Sequence, residues 1–286
     1  MKKPRLLDLD QLSWIKRNID KYPHNKELAK YFNITTKQIK DFLFTHGIRR
    51  SYTNKGRVIF NENFFGKYNA LSCYWAGFIA ADGCISTRKN QKDKFLTINL
   101  QIKDRIHLKN FIKHINGYRL KIIERNSTIN NKIFKYCSVI LYNNKIVSDL
   151  KNNFNIIERK TLKLQFPDIP IKYYLDFIRG YIDGDGCLSL HKDRQSIVLH
   201  LSFVGNESFI KRIGEIINKK YSFSIYKNDL CCIKYNFHNS IKACQKIYFP
   251  INKFCLDRKR KKYFDLIESI TNIQKSRINK KGIVID

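Results

Sequence analysis

The chain has 286 residues, 43% hydrophobic and 13% aromatic, enough apolar material for an ordered core and room for about one to three domains. Fifty-five Lys and Arg against 24 Asp and Glu leave a formal charge of +31, a self-repulsion that points to a polyanion, nucleic acid, as the working partner. No apolar run approaches the ~18–20 residues of a membrane span, and the eight cysteines show no Cys-x2-Cys pair and no histidine at zinc-finger spacing, which excludes a membrane protein and a zinc module. With no apolar signal core behind Met1-Lys2-Lys3-Pro4-Arg5, the expected setting is an intracellular, reducing compartment. The abundance of Lys, Asn, Ile, Tyr and Phe suggests an AT-rich phage, bacterial or organellar genome.

Residues 1–50 read as a small helical domain. Asp10 is expected to cap a helix running through Lys21, with Pro23 ending it. Two short helices, 26–31 and 35–45, then flank Phe32-Asn33-Ile34, where Asn33 suits a left-handed turn and Thr35 a helix cap. Leu28, Ala29, Ile39 and Phe42 fit the interior of a helix-turn-helix, leaving Lys37, Gln38 and Lys40 outside, beside Thr36 and Asp41, as DNA contacts. Residues 51–66 read as a basic linker.

From Tyr68 the sequence repeats itself, with a period of about 100 residues. A helix over 68–82 precedes strands near 84–87 and 95–102, a helix over 104–115, strands near 118–125 and 134–142, and a helix over 144–154. The second copy follows the same order: helix 173–185, strands near 187–191 and 197–204, helix 206–219, strands near 222–226 and 231–237, helix 239–249. The half-domains are placed at 67–160 and 172–265, joined by 161–171 with its two prolines and followed by a tail over 266–286. Glu158-Arg159-Lys160 closes the first copy and Asp257-Arg258-Lys259 the second.

Each copy opens with a small-residue helix ending in Asp-Gly: Trp75-Ala76-Gly77-Phe78-Ile79-Ala80-Ala81-Asp82-Gly83 and Ile178-Arg179-Gly180-Tyr181-Ile182-Asp183-Gly184-Asp185-Gly186. Faces formed by Ala76, Gly77, Ala80 and Ala81, and by Gly180 and Gly184, permit close helix packing, which would bring Asp82 and Asp185 side by side. Two carboxylates so placed repel unless a divalent cation neutralises them, and Mg2+ (or Mn2+) takes few protein carboxylates while keeping several waters. Asp183, two residues before Asp185, points to another side of the helix and is set aside as non-catalytic.

These two segments resemble the LAGLIDADG motifs of homing endonucleases, in the form where one chain carries both motifs. The resemblance covers residues 60–265 and places the catalytic, metal-binding acids at Asp82 and Asp185, with Gly83 and Gly186 as neighbouring metal donors. It implies an α+β fold of two pseudo-symmetric αββαββα half-domains forming a saddle of two antiparallel sheets over the DNA major groove, and a monomeric, Mg2+-dependent enzyme that makes a double-strand break in a long asymmetric target. Two departures stand out: Ala80 fills the sixth motif place of the first copy, and bulky, charged Arg179 the second place of the second copy, where it would press on the helix interface or turn to solvent at its rim.

Lys160 and Lys259, at matching exits of the repeats, and Lys103, at the end of a groove strand, are candidates to polarise the scissile phosphates. Thr97, Asn99 and Gln101, with Lys121, Glu124 and Arg125, alternate along strands that could read bases. The alternatives on the same scaffold are an intron RNA maturase or a cleavage-inactive DNA-binding transcription factor; a pure binder has no reason to keep two repelling acids.

Overall fold

A computed structural model describes residues 8–19, 22, 24–48, 60–87, 93–117, 120–129, 131–193, 196–226, 229–249 and 253–280. The chain divides into two units, Met1–Ile59 and Phe60–Asp286. In the first, α1 (Leu9–Asn18), α2 (Asn25–Tyr31) and α3 (Thr36–Thr45) close over Ile15, Ile19, Leu28, Ala29, Ile39 and Leu43. Asp8 rather than Asp10 caps α1: its carboxylate accepts from the Gln11 N–H at 2.7 Å while the Gln11 side chain accepts from the Asp8 N–H at 3.1 Å. That reciprocal pair needs the acid just outside the helix, and Asp10 already lies inside the first turn. α1 stops at Asn18, short of the expected end; Lys21 and Pro23 lie outside the described residues. Asn33 takes φ 53° between α2 and α3, and Thr35 caps α3.

The second unit holds the repeat. After α4 (Ala70–Asp82) come β1 (Gly83–Thr87), β2 (Lys94–Gln101), α5 (Arg105–His114), β3 (Ile123–Ile129), β4 (Lys132–Tyr142) and α6 (Asn144–Phe154). After α7 (Tyr174–Asp185) come β5 (Cys187–Asp193), β6 (Ser196–Gly205), α8 (Glu207–Ile217), β7 (Ser222–Ile225), β8 (Cys231–Lys234) and α9 (Phe237–Tyr248), followed by α10 (Asp257–Lys280). The fold is α+β, a two-sheet saddle: each half has one antiparallel four-stranded sheet, ordered β1-β2-β4-β3 and β5-β6-β8-β7. The strands alternate as half-buried strands must, with Leu96, Ile98 and Leu100 of β2 turned to the helices and Thr97, Asn99 and Gln101 turned away. One hydrophobic core runs through both halves.

Several boundaries differ from the sequence reading. The third strand begins at Ile123, because the chain turns at Gly117, where the Leu120 N–H donates to the Gly117 carbonyl; Tyr118 lies outside the described residues. The stretch expected as a linker after Lys160 is packed, with Leu164 and Ile169 buried. Of the stretch 51–66, residues 51–59 lie outside the described residues and Phe64 and Phe65 are core. The residues from 266 continue α10, with Leu266 buried, rather than starting a tail; 281–286 lie outside the described residues.

Candidate active site

α4 and α7 are the spine of the second unit. Residues Ser72 to Ala80 of α4 are all buried, as expected of a helix that is apolar on every side. The approach to α7 is a backbone contact: a Cβ on Gly77 would fall 1.9 Å from the Phe177 carbonyl oxygen, and one on Gly180 would fall 1.9 Å from that of Tyr74. Farther along, a Cβ on Gly184 would stand 2.3 Å from Ala81 Cβ and 3.2 Å from Asp82 Oδ2. The helix ends therefore meet, and Asp82 and Asp185 with them.

Burial pushes the Asp82 carboxyl up to about 6, and the charge of Asp185 adds to the shift; Lys259 and Lys160 act against it. Asp185 is also raised by desolvation and likewise eased by Lys160 and Lys259. The two lysines sit under the helix ends. Lys160 Nζ donates to the carbonyls of Ala81 at 3.3 Å and Gly83 at 2.5 Å. Lys259 Nζ donates to those of Ile182 at 2.6 Å, Asp183 at 2.7 Å, Gly184 at 3.3 Å and Gly186 at 2.5 Å. Each ammonium thus closes the open carbonyls at the negative end of a helix dipole. Burial lowers both pKa values, that of Lys259 to about 8.

Around this centre lie buried polar contacts, of which those from Tyr74 to Asp183 and from Arg258 to Asp104 bind one half to the other. Asp183 is fully buried and accepts from Tyr74 Oη and Tyr248 Oη, both at 2.8 Å, and from the Leu256 N–H at 2.6 Å. Tyr74 Oη also meets His107 Nε2 at 2.9 Å, and burial lowers the His107 imidazole to about 3. Arg179 reaches neither the α4 interface nor solvent: it is buried, donating to the Ile247 carbonyl at 2.6 Å and to Asp176 at 2.8 Å. Arg258 forms a fork on Asp104, with contacts of 2.8, 3.1 and 3.0 Å.

The sequence reading missed Asp104, Arg258 and Tyr74. A signal for Arg258 existed in the repeated acid-Arg-Lys exit. For its partner, 154 residues away, there was none.

Of the other expected site residues, the structure brings few to the acids. The carbonyls of Gly83 and Gly186, expected as metal donors, each accept a hydrogen bond from an ammonium. Lys103 is exposed and, among the described residues, makes no hydrogen bond or ion pair with either acid. Asn99, Gln101 and Arg125 are exposed and Thr97 half-buried, all on the outer face of the first sheet; Lys121 is exposed just ahead of β3. Glu124 belongs to the opposite face and pairs with Arg105 at 2.7 Å. In the first unit Lys37 and Lys40 are exposed on α3, whereas the Gln38 amide oxygen is engaged in the Thr35 cap at 2.8 Å.

Among the described residues no three His, Cys, Asp or Glu side chains cluster as a metal group. Two carboxylates with raised pKa values and a shared place still fit a hard cation that keeps most of its waters. Beside them a cavity of about 230 Å³ is lined by Asp185, Lys160, Ala80, Ala81, Tyr181 and Val204, among others.

No protein-family model matches the chain, and no curated protein does. Among solved structures it is similar to the LAGLIDADG meganuclease I-AabMI bound to uncleaved DNA, at 13% identity and a TM-score of 0.47 over 73% of this chain and 92% of that one. It is similar to the LAGLIDADG homing endonuclease I-GzeII in complex with its DNA target, at 13% identity and a TM-score of 0.48 over 74% and 93%. A third similar structure is the meganuclease I-SmaMI bound to uncleaveable DNA, at 11% identity and a TM-score of 0.49 over 74% and 93%.

Proposed function

We propose that this chain is a sequence-specific double-strand DNA endonuclease of the homing type, acting as a monomer because both half-sites of the centre lie in one chain. The observation that carries the reading is the meeting of Asp82 and Asp185 at the ends of two helices joined by a glycine contact, in a chain of charge +31. Two acids forced together against their own repulsion suit a divalent cation, Mg2+ or Mn2+, held by Asp82 and Asp185. When bound, the ion supplies charge neutralisation at a phosphate and acidifies the water it touches.

The chain's own residues do the rest. Lys160 and Lys259 hold the helix ends in place and offset the acids' repulsion, so they act as positioning residues through Asp82 and Asp185. The polar outer face of the sheets meets the duplex, with surface lysines and arginines on phosphates. The first unit, with its capped α3 and exposed Lys37 and Lys40, extends the footprint as a helix-turn-helix. Eight free thiols suit a reducing, intracellular setting.

The test is incubation with a randomised or genomic DNA library and Mg2+, repeated with Asp82→Asn and Asp185→Asn. Cutting by the wild type and by neither variant supports the reading, and cutting that survives both substitutions overturns the site. Tight binding with no cutting by the wild type would move the chain to a transcription factor or an intron RNA maturase.

A further inference from the structure

The cavity of about 230 Å³ beside Asp185 lies where the two repeats fill matched positions differently. Two residues before the acids, α4 carries Ala80 at the cavity wall, whereas α7 carries Asp183, whose carboxylate occupies its space with hydrogen bonds from Tyr74, Tyr248 and the Leu256 N–H. On the sheets Cys84 pairs with Thr97 and Cys187 with Ser202, so Gly205 at the cavity wall matches Leu100, a core side chain of the first half. An alanine and a glycine leave the space open.

The polar groups also differ between the halves. An ammonium has three N–H donors. Lys259 meets four carbonyls and has no donor to spare, whereas Lys160 meets two and keeps one. Asp185 is exposed, and among the described residues its carboxylate accepts no hydrogen bond and forms no ion pair. Lys160 and Asp185 act on one another through their charges without touching. The Tyr181 hydroxyl, also at the wall, is spent on the Val204 carbonyl at 2.7 Å. The cavity therefore has an unspent donor and an unspent acceptor set apart from each other, with Leu164, Val204 and Leu230 as apolar lining.

These features select among ligands. A carboxylate would set its charge against Asp185 and an amine its charge against Lys160, while a hydroxyl has donor and acceptor at a single atom. A primary carboxamide separates them: its carbonyl accepts from Lys160 as its NH2 group donates to Asp185. A cavity of ~150 Å³ holds a benzene ring, so the volume here admits a short branched tail.

We propose that this cavity is a binding site for a small primary carboxamide, with the amide bridging Lys160 and Asp185 and the hydrocarbon tail on Leu164, Val204 and Leu230. Its occupant covers one of the two acids. Binding to the metal-free chain is independent of whether the chain cuts DNA.

The experiment titrates the full metal-free chain with isobutyramide, isobutyrate and isobutylamine, following the methyl resonances of Ala80, Ala81 and Leu164 by NMR. Isobutyramide should shift them saturably with a Kd on the order of 1 mM, as suits so small a molecule. The two charged analogues, each with a like charge opposed and a hydrogen bond lost, should bind on the order of 10-fold more weakly. Lys160→Met removes the donor, and Val204→Phe fills the space from a side chain that is already 39% exposed; each should weaken isobutyramide by on the order of 10-fold. Melting curves of both variants establish that they are folded. Equal binding of the three compounds, shifts confined to other methyls, or a folded Val204→Phe variant that binds like the wild type would overturn the site.

Discussion

Gly77 and Gly180 hold the same place in their helices, and each lies against the carbonyl oxygen of the other helix at one position before the motif, Phe177 and Tyr74 respectively. No side chain can stand between them. Since the added atom would meet backbone, Gly77→Ala or Gly180→Ala should force the helices apart and destabilise the second unit by about 3 kcal/mol or more. Denaturant unfolding checks this, and a variant that unfolds like the wild type would contradict the contact.

The acids give a pH dependence with a definite sign. Asp82 is raised from 3.8 to about 6, so the folded state binds the proton more tightly than the unfolded state. Stability is then fullest below the unfolded value and declines as pH rises from about 4 to about 6. In metal-free buffer at pH 7.5, Asp82→Asn should melt higher than the wild type, and the difference should vanish near pH 3.5. Mg2+ should raise the melting temperature of the wild type and not of the Asp82→Asn, Asp185→Asn double variant. Thermal melts across pH, with and without the ion, carry the comparison.

Lys259 closes four carbonyls and Lys160 two. Lys259→Met should therefore cost more stability than Lys160→Met, about 3 kcal/mol, through buried acceptors left without a donor. Equal losses measured by chemical unfolding would mean that the carbonyls are closed by something other than the ammonium.

Asp183 and Asp185 are neighbours in sequence with different employment. Asp183→Asn replaces an acceptor held by two tyrosines and a main-chain N–H, so a loss of about 2 kcal/mol is expected. DNA cutting at low temperature should persist in that variant and disappear in Asp185→Asn. A cleavage assay at 10 °C beside a melting curve separates the two roles.

The fork between Arg258 and Asp104 joins the end of one repeat to the other. A double-mutant cycle with Asp104→Asn and Arg258→Met should show coupling of about 1.5–3 kcal/mol, the range for hydrogen bonds to charged groups. Arg258→Lys should recover little of it, because an ammonium cannot reproduce the fork.

Much of this was legible in the sequence because it is local or repeated. The Asp-Gly helices, the order of elements along the chain and the alternation of Thr97, Asn99 and Gln101 follow from spacing, whereas the side to which these three turn came from the burial of Leu96, Ile98 and Leu100. What was not legible depends on distant partners: Asp104 meeting Arg258, Asp183 meeting Tyr74, and Arg179 finding the Ile247 carbonyl instead of solvent. Lys259 was read as a cation for the scissile phosphates because lysines are rarely buried, and nothing in its sequence neighbourhood announces the four carbonyls it closes. The choice of Asp8 over Asp10 as a cap turned on where the first helical residue falls, a difference of two positions.

Lys160 closes the helix of its own repeat, and Lys259 does the same for the other. Each repeat therefore brings its own acid, its own helix end and its own lid, while the glycine contact, the Tyr74 hydrogen bond to Asp183, the packing of Phe254 on Trp75 and His107, and the Arg258 fork are what the repeats share. A recombination event that exchanged one repeat for a related one would deliver a complete half of the centre, and the contacts shared along α4 and α7 would have to be matched again. The molecule is divisible for inheritance along the same line on which it is joined for folding.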